Sequence, residues 1–156
     1  MKSLIFPRLY NKRNNILTIF TLIVYSRGKV DSFMPNTILV VDDNDMNLVL
    51  LSKILGMEGY QVLTAQNGTD ALRVIEEKVP DLAILDVMMP DMDGYELCRR
   101  LRQLQTAQKM PIVMLTAMSS EGERRLALDA GANDVWTKPF EMNVLRQRMG
   151  ELLNHK

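Results

Sequence analysis

The 156-residue chain contains one cysteine, Cys98, and one histidine, His155. A single cysteine excludes an internal disulfide and a cysteine-built metal cluster, and it fits a reducing compartment. A single histidine, one residue from the C-terminus, removes the base of a Ser-His-Asp or Cys-His mechanism and the usual nitrogen ligand of zinc. Neither G-x-x-x-x-G-K-[ST] nor G-x-G-x-x-G occurs, so both common phosphate-cradling loops of nucleotide enzymes are missing. The uncharged run ILTIFTLIVY (16–25) falls well short of the roughly 20 apolar residues of a spanning helix. The SRGKVDSF that follows it offers no small-x-small cleavage site. Net charge is zero, so nothing overall points toward nucleic acid. Chemistry in this chain must rest on carboxylates, hydroxyls, lysine and a hard cation.

What is present is the balance of a soluble globular protein, 47% hydrophobic and 24% charged, at a length that suits one domain with its own core. The zero net charge hides an asymmetry. Residues 1–33 carry six basic residues against Asp31 alone, a net +5, which leaves 13 basic and 18 acidic residues, a net −5, for the remainder. The chain therefore divides into an N-terminal extension, 1–33, and a domain, 34–156. Three readings of the extension stand open. It lies outside the functional unit, with Met34 of MPNTILVV as the natural start; it is a disordered or partly helical arm; or it is a weak membrane-surface anchor.

From Met34 onward, short apolar runs alternate with amphipathic stretches. TILVV (37–41), QVLTA (61–65), DLAIL (81–85), PIVMLT (111–116) and DVWT (134–137) read as strands. Between and after them, MNLVLLSKILGMEGY, TDALRVIEEK, Gly94 to about Gln105, SSEGERRLALDAGA and EMNVLRQRMGELL read as helices. Gly59 and Gly131 stop the first and fourth of these, and a serine caps the fourth. The strands lack period-two alternation, as expected when helices cover both faces of a parallel sheet. Five β/α units predict an α/β, doubly wound five-stranded parallel sheet, with no room left for a second domain.

Ligands of open parallel sheets bind at the carboxyl ends of the strands. Strand one ends in Asp42-Asp43, strand three in Asp86, strand four in Thr116, and strand five in Lys138-Pro139. Individually each has a plain reading; Asp42-Asp43, for example, could cap the first helix. Together they bring three acids to one edge, which is unfavourable without a cation or a lysine and therefore marks a site. Oxygen-only ligands favour Mg²⁺, Mn²⁺ or Ca²⁺. LDVMMPDMDG (85–94) is not a calcium loop: counting back from Gly94 as position 6, position 1 is Met89 and position 12 is Arg100. Asp91 and Asp93 are better read as loop and cap residues. The remaining use for these groups is handling a single phosphoryl group, with Asp86 as nucleophile, Mg²⁺ screening the approach of two anions, and Thr116 and Lys138 binding phosphoryl oxygens.

VVDDN, ILDVMMPDMDG, MLTA and GANDVWTKPF resemble, in order and spacing, the four signatures of receiver domains of two-component response regulators, the CheY-like superfamily. The resemblance covers about residues 36–154. It implies a flavodoxin-like sheet of order 2-1-3-4-5 and transfer of a phosphoryl group to Asp86 from a sensor histidine kinase or a histidine phosphotransfer protein. By position it implies Mg²⁺ ligation by Asp43, Asp86 and the backbone carbonyl of Met88, with Asp42 acting through water. Thr116 becomes the switch hydroxyl, Lys138 the partner of the acceptor, and the Lys138–Pro139 bond is expected to be cis.

One departure concerns readout. The family's Tyr or Phe three residues before the lysine is Val135 here, and Trp136 beside it should face the other way, because a one-residue shift in a strand changes face. The resemblance also implies that Met88 and Met118, two places after Asp86 and Thr116, occupy positions that tune phosphate lifetime in this family; bulky apolar groups there predict a long-lived acyl phosphate. Ala117 leaves room for the phosphoryl group. Cys98 reads as a packing residue, and the twelve methionines as core filler and a soft docking surface.

The resulting expectation is a stand-alone, cytoplasmic phosphorelay component acting through a downstream protein target. It predicts no direct DNA binding, no membrane span, and compatibility with a homodimer. It is not a turnover enzyme, since it catalyses only its own phosphorylation and dephosphorylation. Two competitors are a phosphorylation-independent interaction module on the same fold, and a phosphatase of the haloacid dehalogenase type. The second lacks its D-x-D pattern, because the acceptor strand reads D-V-M-M-P.

Overall fold

The computed structural model describes residues 35–117 and 120–154. The N-terminal extension, Met118 and His155 lie outside the described residues. Among the described residues, ten elements alternate strictly: β1 (Thr37–Val41), α1 (Asp45–Met57), β2 (Gln61–Ala65), α2 (Gly68–Glu77), β3 (Leu82–Asp86), α3 (Gly94–Gln103), β4 (Ile112–Thr116), α4 (Glu121–Asp129), β5 (Asp134–Thr137) and α5 (Met142–Asn154). All strands are parallel, in the order β2-β1-β3-β4-β5. This is the doubly wound parallel sheet that the sequence pattern predicts, in the flavodoxin-like order that the receiver-domain resemblance implies.

Every residue of β1, β3 and β4 is buried. Successive side chains go to opposite faces, so these continuous apolar strands feed two separate cores. Leu39, Val41, Ala83, Leu85, Met114 and Val135 pack with Ala71, Ile75, Leu97 and Leu101, beneath α2 and α3. Ile38, Val40, Ile84, Val113, Leu115 and Trp136 pack with Leu51, Leu55, Leu145 and Met149, beneath α1 and α5. Each fully buried Leu or Ile contributes about 1.5–3 kcal/mol of transfer free energy.

Helix starts follow capping chemistry. The Asn44 side chain accepts from the backbone of Met46 and Asn47. Asn67 accepts from Asp70, Asp93 from Glu96, and Ser120 forms a reciprocal capping box with Glu123. Thus Asn44, not Asp42 or Asp43, caps α1. Gly59 (φ 88°) and Gly131 (φ 100°) take up the left-handed conformations that stop α1 and α4.

Several boundaries differ from the sequence reading, two of them with a polar cause. The third strand runs Leu82–Asp86, so Asp81 falls outside it, and its carboxylate instead accepts the Thr37 N–H at 2.7 Å. Helix α3 ends at Gln103, because Leu104 turns extended and Arg102 donates to the carbonyls of Ala107, Gln108, Met110 and Gly131. Those bonds stabilise a turn where helical periodicity alone continued to about Gln105.

Candidate functional site

Strand register assembles the site. Val41 lies beside Leu85, Asp86 beside Leu115, and Thr116 beside Thr137. The next residue along β1 is Asp42 and the next along β5 is Lys138, so residues from β1, β3, β4 and β5 reach the same carboxyl edge. Asp42, Asp86 and Thr116 are all buried there.

Lys138 joins the two buried acids. Its Nζ lies 2.9 Å from Asp42 Oδ2 and 2.5 Å from Asp86 Oδ1. Its backbone N–H donates to Thr116 O at 2.8 Å, and the Lys138–Pro139 bond is cis. The second Asp86 oxygen, Oδ2, accepts the Met88 N–H at 2.9 Å. Asp42 accepts the Asn44 N–H at 2.9 Å and the Asn47 side-chain amide at 3.0 Å to each oxygen.

Burial pushes the Asp86 carboxyl above the ordinary range, with Asp42 adding to the rise, while Lys138 and the Met88 N–H pull it down. Burial acts on Lys138 to favour its neutral form. The hydrogen bonds and charges of Asp86 and Asp42 outweigh it and hold the ammonium above its usual value. The lysine is therefore charged, while Asp86 is a desolvated carboxylate whose negative charge is only partly offset.

The loop after β3 separates the three aspartates of LDVMMPDMDG. Asp91 is exposed, with a left-handed backbone (φ 65°), and Asp93 is exposed and caps α3. Only Asp86 enters the pocket. Gly94 lies directly below it: a Cβ there would stand 2.3 Å from the Asp86 carbonyl oxygen. The Gly94 N–H donates to Val87 O at 3.0 Å, so the loop closes tightly behind Asp86.

Asp43 is exposed at the rim and Ala117 is exposed after β4. Met88 contributes its backbone N–H but leaves its side chain 77% exposed. Val135 packs into the core beneath α2 and α3, with Met114. Trp136 faces the opposite core, and its indole N–H donates to Asp134 Oδ2 at 2.7 Å. Trp136 therefore does not replace an aromatic ring at position 135.

Among the described residues, no three carboxylate, thiolate or imidazole groups converge closely enough to form a metal cage by themselves. Mg²⁺ does not require one. It is held through one or two carboxylates, further oxygens and retained waters. The oxygen-only donors Asp43, Asp86 and the Met88 carbonyl, with Asp42 behind them, fit that chemistry. Sequence reasoning missed Asn47 and Gly94. The D-D-N-x-x-N spacing holds the signal for the first, since α1 begins at Asp45 and turns Asn47 back toward Asp42.

Comparison with known proteins agrees with this fold. The response regulator receiver domain profile matches residues 38–150. Response regulator MprA of Mycobacterium sp. (strain KMS) is 48% identical over 120 residues, covering 77% of this chain and 51% of the relative. The chain thus spans about half the length of that relative. Chemotaxis protein CheY4 of Vibrio cholerae superposes with a TM-score of 0.73 at 31% identity, covering 76% of this chain and 99% of that one. The receiver domain of sensor histidine kinase PA1611 from Pseudomonas aeruginosa PAO1 gives 0.72 at 32% identity, covering 77% and 98%. That structure carries a magnesium ion coordinated in its active-site cleft.

Proposed function

Since the chain belongs to the response regulator receiver domain family, we propose that it is a phosphoacceptor switch of a two-component phosphorelay. Asp86 takes a phosphoryl group from a sensor histidine kinase or a histidine phosphotransfer protein, and the phosphorylated domain signals by docking on a downstream protein. The observation that carries this reading is the buried Asp86 carboxylate, gripped on one oxygen by Lys138 and on the other by the Met88 N–H.

An Asp86 oxygen attacks phosphorus, a P–O bond forms, and the P–N bond to the donor histidine breaks. The departing imidazole keeps the electron pair and takes a proton from solvent. Lys138 offsets negative charge as the phosphoryl group approaches, and the Thr116 hydroxyl binds one of its oxygens. Asp43, Asp86 and the Met88 carbonyl would hold Mg²⁺, which when bound neutralises charge between acceptor and phosphoryl oxygens. Asp42 keeps Lys138 in place.

A protein donor must bring its phosphohistidine against the carboxyl edge. Large apolar groups are exposed beside that edge, Met46, Val49 and Leu50 on α1 and Met88 on the loop after β3. A cleft of about 370 Å³ lies between α1 and the Lys138–Phe140 segment, lined by Leu50, Leu51, Ile54, Leu115, Pro139 and Phe140 among others. These supply a surface for an apolar helical partner. Replacing Leu50 with Asp is expected to slow transfer from a protein donor and leave phosphorylation by a small acyl phosphate unchanged.

The test is incubation with a small phosphodonor and Mg²⁺, followed by intact mass. A single phosphoryl gain that vanishes in Asp86→Asn supports the proposal. No gain from any donor favours a phosphorylation-independent interaction module, a reading to which Val135 lends support by removing the aromatic readout.

A further inference from the structure

The carboxylate of Asp42 is saturated. The Asn47 side-chain nitrogen lies 3.0 Å from both oxygens, so it sits across the open mouth of the carboxylate where a cation would bind in bidentate fashion. Oδ1 also accepts the Asn44 N–H at 2.9 Å, and Oδ2 accepts Lys138 Nζ at 2.9 Å. A carboxylate offers about four lone-pair sites, and these four contacts occupy them. Asp42 is also only 1% exposed, so an arriving cation must displace a protein donor to reach it.

We infer that Asn47 is a positioning residue that keeps Asp42 out of direct cation ligation and reserves it for Lys138. This inference rests on the phosphoacceptor reading of Asp86 for its meaning, though its ligation claim can be measured without phosphorylation. The side chain comes from the first turn of α1, whose cap, Asn44, supplies the backbone N–H contact to Asp42. Helix α1 thereby locks the acid that locks the lysine. A free Asp42 mouth would add a bidentate carboxylate to the pocket. Ca²⁺, which takes 6–8 oxygen ligands and accepts bidentate carboxylates, gains more from that than Mg²⁺ with its strict octahedron.

The test is calorimetric titration of the full chain and its Asn47→Ala variant with Mg²⁺ and with Ca²⁺, alongside phosphorylation by a small acyl phosphate at saturating Mg²⁺. Ala is the better helix former, so α1 is retained in the variant. Gly56→Ala, with nothing within 4 Å of the added methyl, controls for the gain in helix propensity. The expected result is Ca²⁺ affinity tighter by about threefold or more, a smaller gain for Mg²⁺, and phosphorylation slower by about tenfold as Lys138 loses its fixed partner. Cation affinities equal to those of the parent chain overturn the inference, whatever the phosphorylation rate. A parent chain that takes no phosphoryl group overturns the phosphoacceptor reading instead, and leaves the cation comparison to decide the role of Asn47.

Discussion

The proposed acceptor side and the proposed readout side of the sheet edge are built to different standards. On the acceptor side, Asp42, Lys138 and Asp86 come from three separated segments, and each has polar partners that restrict it. On the proposed readout side, Thr116 closes β4, Ala117 is small and exposed, and the position facing the core beneath α2 and α3 is a plain Val135. The contrast separates two tasks. Accepting a phosphoryl group needs a carboxylate, a lysine and a cation site held rigidly. Reporting it needs a side chain with two positions, and a buried valine has little to move.

Substitutions can break or sharpen that contrast. The largest effect belongs to Asp86→Asn, which should eliminate phosphorylation by intact mass while raising stability at neutral pH by removing a desolvated charge. The sign follows from linkage. Because the folded Asp86 pKa lies above its ordinary 3.8, the folded state binds that proton more tightly than the unfolded chain does. The residue's contribution to stability therefore falls as pH rises above 3.8. The stability advantage of Asp86→Asn should shrink on acidification, as seen in denaturant melts across pH. The phosphorylation rate of the parent chain should fall over the same acid range as the nucleophile takes its proton.

Lys138→Met comes next. It should slow phosphorylation by about 10²–10³-fold, as loss of one preorganised cationic donor does. It also leaves Asp42 and Asp86 without the shared ammonium, which should cost about 2 kcal/mol at pH 7. Lys138 is itself raised, so the stability it supplies is complete below its ordinary 10.5 and is lost as pH climbs through the folded value. A melt of the parent chain that stays flat from pH 9 to 12 would weigh against the coupling.

Val135→Tyr probes the other side. The added ring should cost about 1–3 kcal/mol by overpacking the core, yet leave the phosphorylation rate within about twofold, which is under 0.5 kcal/mol of barrier. A large loss of rate would show that acceptor and readout are not separable. The smallest effect is expected from Met88→Asn. Its side chain is mostly exposed, so phosphate lifetime should shorten by about threefold or less, under 1 kcal/mol of barrier. Adding Met118→Asn should shorten it further if both methionines shield the acyl phosphate from water.

Much of this was legible in the sequence, because parallel sheets place function at strand ends. Reading the residue that closes each strand was enough to collect Asp42, Asp86, Thr116 and Lys138. The two-face packing was equally legible, and it correctly set Val135 and Trp136 on opposite sides. The difference between Asp86, Asp91 and Asp93 depended on strand register and loop closure, and Gly94 under Asp86 is a contact no local pattern expresses. Asn47 was hidden for a similar reason. An asparagine in a first helical turn looks like ordinary capping chemistry until the turn's direction relative to β1 is known. The end of α3 was missed because Arg102 gathers carbonyls from two distant turns.

The central claim is that one aspartate of this edge, Asp86, forms the acyl phosphate. The direct measurement is to phosphorylate the full chain with a small donor and Mg²⁺, reduce the acyl phosphate with borohydride, and locate the reduced residue by peptide fragmentation. Reduction at residue 86 alone is the predicted result. Reduction at Asp42, Asp43, Asp91 or Asp93, with residue 86 unchanged, would contradict it.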